Sequence, residues 1–534
     1  MRFHLEKQFS FRLKIAGAIG LALFADLLFF RKEPGSTLGL FALAWVAAVA
    51  ICVPRVRKDK AAVIALACAV LLGLALFDRP GPLPVLLGWI ALSSSVLLAR
   101  TQFQDAAQLC LRLAAQGFVG LGNIVRDTAH VLRVPRPTFG SSLRSGIAAV
   151  VLPLAGAGIF IALFASANPI IESLLPDLSV FAIDGDIVFQ GFFCALVFVG
   201  VWPSLRPSRA AIGMTFTPAK HPLNLPGVTA ASITLSLLLF NVIFAVQNGL
   251  DVAFLWSGAP LPQGVTLADY AHRGAYPLIV TALLAGAFVL ITAQPDSEIG
   301  RRPLIRRLVV IWIVQNLVLV ASSIIRTIDY IDAYMLTQLR IAALLWMALV
   351  AVGLVLICWR MVMRHALGWL INRTALAAAA VLGLACIVDL GTVAAEWNIR
   401  HARETGRTGQ PLDLGYLRSL GSSAMVPLAR LEKQPLNSEF LDRVAFVRQD
   451  IVEAVQHEQQ EAYAWTWRNA RRLENVRSIL GPSPRVPAPG ERHLDGRLLP
   501  PPVEVPTPPP APPVDGIISD VPYPGRPLTQ PWPR

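Results

Sequence analysis

Eleven apolar runs, most of them close to twenty residues long, alternate along the chain with shorter polar gaps. They fall at about 14–30, 36–54, 61–77, 82–99, 146–167, 187–203, 226–248, 274–293, 305–325, 341–359 and 374–396. A helix rises about 1.5 Å per residue and a membrane's hydrocarbon layer is about 30 Å thick, so each run is read as a spanning helix. The runs at 61–77 and 187–203 are near the lower limit of length.

Positive charge orders these runs. Arg2, Lys7, Arg12 and Lys14 precede or open the first, and Arg55, Arg57, Lys58 and Lys60 fill the second gap. Arg100, Arg112, Arg126, Arg133, Arg136 and Arg144 follow the fourth run. Arg206, Arg209 and Lys220, then Arg301, Arg302, Arg306 and Arg307, then Arg360, Arg364 and Arg373 complete the set. The intervening gaps hold only Arg31, Lys32, Arg79, Arg273, Arg326 and Arg340, and 168–186 holds no base. Gaps that keep Lys and Arg stay in the cytoplasm. The N-terminus is therefore expected in the cytoplasm, and an odd number of spans puts everything after residue 396 outside.

Composition agrees with this reading. Only 15% of 534 residues are charged, and mean hydropathy is +0.56. The net charge of +13 resides in topology-setting bases at helix ends, while 397–534 is nearly balanced, so nucleic acid is not an expected partner. The opening MRFHLEKQFSFRLK lacks a small-residue cleavage site after its apolar run, so the first span is expected to remain as an anchor. Cys52, Cys68, Cys194, Cys358 and Cys386 fall in spans and Cys110 in a cytoplasmic gap; with no CxxC, neither disulfide framework nor zinc site is expected.

The predicted fold is an all-α polytopic bundle in five parts. Residues 1–99 carry four spans, and 100–145 form a cytoplasmic connector. In it Leu109, Leu111, Leu113, Phe118, Val119 and Leu121 fit either an amphipathic helix on the membrane surface or a segment packed on the bundle. Residues 146–396 hold seven spans, and 397–480 form an extracytoplasmic helical region with Phe440, Val444, Val447, Ile451 and Val455 at helical spacing. From Gly481 onward 18 of 54 residues are proline, which predicts a disordered tail over 481–534, because proline fixes φ and removes a donor.

Three polar stretches map to the outer face. Asn241, Gln247 and Asp251 leave span seven; Tyr270, His272 and Arg273 precede span eight; Arg326, Asp329, Tyr330, Tyr334 and Arg340 join spans nine and ten. Arg326, Asp329 and Tyr330 share a face if the helix continues, and charged groups at this depth must pair, snorkel or line a wet cavity. They are ligand-binding candidates, with helix capping and interfacial anchoring as the structural alternative. Asp26, Gln315, Asn316 and Asp389 lie within the predicted spans. No HExxH, GxSxG or phosphate-binding loop is present, so no catalytic residue, metal ligand or cofactor is assigned. A lipid-linked glycosyltransferase is disfavoured, since the first outer loop is only Arg31-Lys32-Glu33-Pro34-Gly35.

Tyr270 to Gly274, Tyr330 to Arg340, Trp397-Asn398-Ile399-Arg400 and Leu412 to Leu420 together resemble motifs of the polytopic bacterial membrane family catalogued as domain of unknown function 4173. The resemblance covers roughly 150–430 and implies a membrane location and helical fold, with no activity attached. Two positions depart from it. Met335 stands at a glycine of the motif, which argues against a left-handed backbone there, and Ala424 stands where an acid is expected before Val426-Pro427. The expected protein is a multi-pass bacterial inner-membrane protein in contact with the bilayer, a non-catalytic envelope scaffold or sensor engaging an envelope protein or cell-wall partner through 397–534. The alternative is a transporter or lipid handler using the polar cluster.

Overall fold

A computed structural model describes residues 2–117, 185–215, 229–256, 280, 284, 302–407 and 409–500. Helices occupy the apolar runs: α1 (Arg2–Phe29), α2 (Thr37–Cys52), α3 (Lys60–Asp78), α4 (Pro82–Leu98), α5 (Gly185–Leu205), α6 (Ala230–Asp251), α7 (Pro303–Tyr334), α8 (Gln338–Met363) and α9 (Leu367–Ile387). Six of them, α3 and α5 to α9, are long and apolar enough to cross a membrane, and α2 and α4 are shorter apolar helices. The runs expected at 146–167 and 274–293 lie outside the described residues, as do Tyr270, His272 and Arg273.

These helices are apolar all round. Ile64, Leu71, Phe189, Phe192, Leu235, Val242, Val355 and Leu376 stay exposed in the folded chain. A helix that buries one stripe and still presents Leu and Phe outward is solvated by lipid. Two cores hold the bundle. Leu21, Val49, Val96, Trp202 and Leu205 join α1 to α5, while Leu237, Val309, Trp312, Met347 and Leu354 join α6 to α9. Small residues set the closest crossing: a Cβ on Gly39 of α2 would collide with the backbone of Phe77 on α3.

The chain beyond α9 follows the opposite rule. Helices α10 (Leu390–His401), α11 (Leu414–Ser419), α12 (Met425–Glu432), α13 (Ser438–Gln460) and α14 (Trp467–Leu480) bury Leu414, Leu417, Met425, Leu428, Leu431, Val444, Val447 and Ile451 in a core of their own. The stripe Phe440, Val444, Val447, Ile451 and Val455 faces that core. Ala424 is fully buried there too, so the position that lacks the motif's acid is a packing site. These helices form a cap with a conventional inside and outside.

Two expectations are revised. The predicted span 374–396 is not continuous: α9 ends at Ile387 and α10 begins at Leu390. Asp389 between them is an N-cap, its carboxylate accepting from the Gly391 amide at 3.0 Å, which is why the helix breaks there. Asp389 therefore lies at a helix end and not inside a span. The tail beginning at Gly481 is also partly built. Residues 481–500 run along α13, held where the Arg485 amide donates to Glu432 (3.1 Å), Arg492 to Asp442 (2.6 Å) and Arg443 to Asp495 (3.1 Å). Proline does exclude regular structure, and the segment carries only an isolated bridge between Arg492 and Leu498. Charged partners order it without any ladder. Residues 501–534 lie outside the described residues.

The helical stretch 106–117 lies against the bundle through a polar face. Gln116 donates to Pro203 O at 3.1 Å and Arg112 to Met214 O at 3.3 Å, and Gln108, Arg112 and Gln116 are all buried.

The corner between α7 and α8 carries backbone strain. Met335 has φ 66° and ψ 168°, a region almost confined to glycine, contrary to the expectation drawn from its identity. It is retained because its side chain is buried in the cap core and Arg340 donates to its carbonyl. On its C-terminal side Leu336 exchanges two bonds with the Asn398 side chain, at 2.7 and 2.9 Å. Met335→Gly and Met335→Ala both lose a buried side chain, but only glycine relieves the backbone. Thermal unfolding in detergent should find the glycine variant more stable than the alanine one by about 1 kcal/mol or more, the reverse of the order inside a helix.

Candidate functional site

The polar residues singled out in the sequence separate into three groups along α6, α7 and the corner beyond them. The first is an amide ladder. Gln315 Nε2 donates to Asn241 Oδ1 at 2.7 Å, Asn241 Nδ2 to Leu308 O at 3.1 Å, and Asn248 Nδ2 to Gln315 O at 3.1 Å. Each bond ties α6 to α7 where no water is at hand to compete. Asn316 is fully buried and donates back to Trp312 O at 2.8 Å within its own helix.

The second group adjoins the ladder at the C-terminal end of α6, with Gln247 and Asp251 within a turn of Asn248. Asp251 and Arg326 form an ion pair whose side chains are 2% and 5% exposed, and Gln247 donates to the same carboxylate oxygen at 3.0 Å. Trp256, one turn beyond, donates to Ser322 at 3.2 Å. The third group is the corner itself. The rings of Tyr330 and Tyr334 lie 4.8 Å apart, and the Arg340 guanidinium stands 4.2 Å from the Tyr330 ring centre while donating to Tyr334 O at 2.7 Å. Asp329 is half-buried on the same helix. Asp26, on α1, accepts from Gln190 of α5 at 2.7 Å.

A larger polar assembly lies where the cap meets the bundle, and of its members only Asp389 is among the residues singled out from the sequence. That carboxylate accepts from Thr392 (2.9 Å), Ser423 (2.8 Å), Arg79 (3.2 Å) and Arg472 in addition to the Gly391 amide. Beside it Arg468 donates through two nitrogens to Asp78, one of them at 2.7 Å, and to Ile387 O at 3.1 Å. Arg472 also reaches Ser422 and Thr392, each at 2.9 Å. Burial alone would raise the Asp389 carboxyl. The charges of Arg472 and Arg79, with the hydrogen bonds from Ser423 and Arg472, overcome it and hold the group well below the usual carboxylate range.

Backbone contacts close the same junction. Gly35 and Ser36 donate to Tyr463 O and Trp465 O, both at 2.8 Å, and the Trp467 amide donates to the Ser36 hydroxyl at 3.1 Å. A Cβ on Gly35 would collide with the Ala464 and Trp465 carbonyls. Lys32 lies 3.8 Å from the Tyr463 ring centre, and Gln338 donates its amide to the Tyr416 hydroxyl at 3.0 Å. The cap thus grips the α1–α2, α3–α4 and α7–α8 connections together. Between them is a cavity of about 350 Å³ lined by Glu33, Asp78, Arg79, Ser422, Arg468 and Arg472 among others. None of the candidates named from the sequence lines it. Its charged groups come from positions hundreds of residues apart, so no local spacing points to it. No group of three or more His, Cys, Asp or Glu able to hold a metal occurs among the described residues.

The profile of the family described as domain of unknown function (DUF4153) matches residues 18–431, more than half of the sequence. The chain belongs to this family. The match corrects the family expected from the motifs at Tyr270 and Tyr330, domain of unknown function 4173, and like that resemblance it assigns no activity. No curated protein and no solved structure matches the chain. The DUF4153 match runs from α1 through most of α12 and stops short of α13 and α14. Arg468 and Arg472 thus reach the junction from outside the family's part of the chain.

Two outcomes follow from these geometries. Breaking a buried pair strands a charge at a cost of about 3–5 kcal/mol, whereas replacing both members with apolar groups is close to neutral. Asp251→Leu alone or Arg326→Met alone should therefore deplete the protein from membranes, and the double variant should restore it, measured by quantitative immunoblotting. Asp389 is held below the ordinary aspartate pKa of about 3.9, so its contribution is complete above that pH and is lost as pH falls through the depressed folded value. Unfolding in detergent should show wild-type stability declining from about pH 4 downward. Asp389→Asn should be less stable at pH 7 and should lose most of that acid limb.

Proposed function

We propose that the protein is a non-catalytic scaffold or sensor of the bacterial cell envelope, anchored in the inner membrane by eleven spans. Its N-terminus lies in the cytoplasm and its cap outside. Several features support this. The described connections alternate between an end that carries the cap and an end rich in Lys and Arg, as the charge pattern requires of cytoplasmic and outer gaps. The cap has its own core and polar surface, suited to water and to protein contacts.

One observation carries the choice of scaffold over carrier. Several of the described polar groups that would have lined an outer binding pocket bond to one another or to backbone instead: Asp251 with Arg326 and Gln247, Asn241 with Gln315, Arg340 with the corner carbonyls. A carrier needs such groups open to its cargo. Here they fasten helices, and the cap is fastened in turn to three connections, so a load on the cap reaches the bundle directly.

The reading is tested in living cells with two probes. A reporter active only outside the cytoplasm is fused after Arg403 and after Arg534, and a photo-crosslinking residue is placed at the exposed cap positions Glu453 and His457. Activity at both fusions and discrete cap adducts that persist in the Asp251→Leu/Arg326→Met variant are expected. Inactive fusions would put the cap in the cytoplasm and remove the envelope assignment. The absence of adducts at both positions would remove the scaffold.

A further inference from the structure

Helix α14 meets the bundle at the level where spanning helices end. Its first residue, Trp467, donates its amide at 3.1 Å to the hydroxyl of Ser36, the N-cap of α2. Its second, Arg468, reaches Asp78, the last residue of α3, at 2.7 Å and the carbonyl of Ile387, the last residue of α9, at 3.1 Å. One turn on, Arg472 bonds to Asp389, the N-cap of α10. Positions i and i+4 share a face, so these two arginines fix the rotation of α14 about its own axis. Leu473, Val476 and Leu480 enter the cap core from another side.

What remains outside is the stripe of Trp467 and Arg471, about 100° round the helix from the two arginines. The Arg471 guanidinium stands 4.8 Å from the Trp467 ring centre, the tryptophan is 43% exposed, and Arg471 is exposed with it. Tryptophan is strongly buried on average, so an indole left open needs an apolar neighbour outside the chain. The bilayer supplies one at this level, where Leu40 of α2, Leu74 of α3 and Ile387 of α9 are exposed on the spans. Tyr463 and Trp465 lie at the same level, their carbonyls accepting from Gly35 and Ser36 at 2.8 Å, and the Trp465 ring lies 6.4 Å from that of Phe77. Trp and Tyr concentrate at the membrane–water boundary, because each joins an apolar ring to a polar tip.

We propose that the first turn and a half of α14 is a foot on which the cap rests against the bilayer. The Trp467 indole enters the boundary between headgroups and acyl chains, and the Arg471 guanidinium takes a phospholipid phosphate, an anion its planar fork fits. The contact is distinct from the partner surface proposed above and holds whichever side of the membrane carries the cap. Because Arg468 and Arg472 lie on the same helix, the membrane is met one residue away from the junction that fastens the cap.

The full-length protein is reconstituted in nanodiscs of phosphatidylcholine and phosphatidylglycerol that include a phosphatidylglycerol with a diazirine in the upper part of one acyl chain. After illumination, lipid adducts are located by mass spectrometry of the digested protein. Adducts are expected in 463–471 at a yield like that around Leu40 and Ile387 on the spans. The exposed apolar residues Val486 and Leu494 of the cap serve as the control and should stay unlabelled. Arg471→Gln should lower labelling of 463–471 about fivefold, the factor for one base at an anionic lipid surface, and Trp467→Gln/Arg471→Gln should lower it further. Both variants keep Arg468 and Arg472, so their unfolding midpoints in detergent should match wild type. Adducts at Leu40 and Ile387 with none in 463–471 would leave the foot in water. Equal labelling of 463–471, Val486 and Leu494 would reduce the contact to random collision. Either result overturns the proposal, and unchanged labelling in both variants would overturn the roles given to the two side chains.

Discussion

A carboxylate taken out of water has to recover from the protein the donors that water supplied, and at Asp389 that requirement connects the two halves of the molecule. Its five donors come from the α3–α4 turn, the start of α10, the segment before α12, and α14. Only two of them are its own neighbours in sequence. With a side chain 8% exposed, Asp389 cannot be solvated if the cap swings away while the segment stays buried. That desolvated charge is therefore one of the contacts that hold cap and bundle in one arrangement. The Asp78–Arg468 pair and the Gly35–Tyr463 backbone bond are aligned around it.

The same constraint operates inside the bundle with weaker groups. Between α6 and α7 the amides of Asn241, Asn248 and Gln315 bond to one another or to carbonyls of the facing helix, and a full ion pair, Asp251 with Arg326, sits at the cap end of α6. This ordering follows from cost. A neutral amide can be carried deep if it finds one partner, whereas a charge is tolerated near a helix end with a counter-charge already in place. In the cap, Glu432 and Arg448 form a comparable buried pair, and there it anchors the proline-rich segment through Arg485.

Much of this architecture was legible in the chain because it depends on local pattern. Apolar runs of spanning length mark α1 to α9, and the stripe from Phe440 to Val455 marks the core face of α13. The breaks were legible only where chemistry was read with them: Asp389 has the residue type of an N-cap, yet the apolar residues on both sides make the run look continuous. Met335 misled for the opposite reason. Its identity disfavours positive φ, and tertiary burial of its side chain together with the Arg340 bond overrides that preference. The proline content after Gly481 rightly excludes helix, but it is silent about arginines and acids that pin an irregular segment. The junction could not be read at all, since Arg79, Asp389, Ser423 and Arg472 become neighbours only through the fold.

The two ends of the bundle treat charge in contrasting ways. At the cap end Asp78, Asp389, Asp251 and Asp186 each meet an arginine, so few charges are left for anything outside the chain. At the other end Lys14, Arg55 and Arg100 lie within electrostatic reach of one another with no described acid bonded to them, and Arg57, Lys58 and Lys60 extend the positive surface. Hydrophobic burial does not distinguish these ends, because the same apolar helices run through both. The difference is electrostatic. Internal pairing makes the cap end mechanically specific.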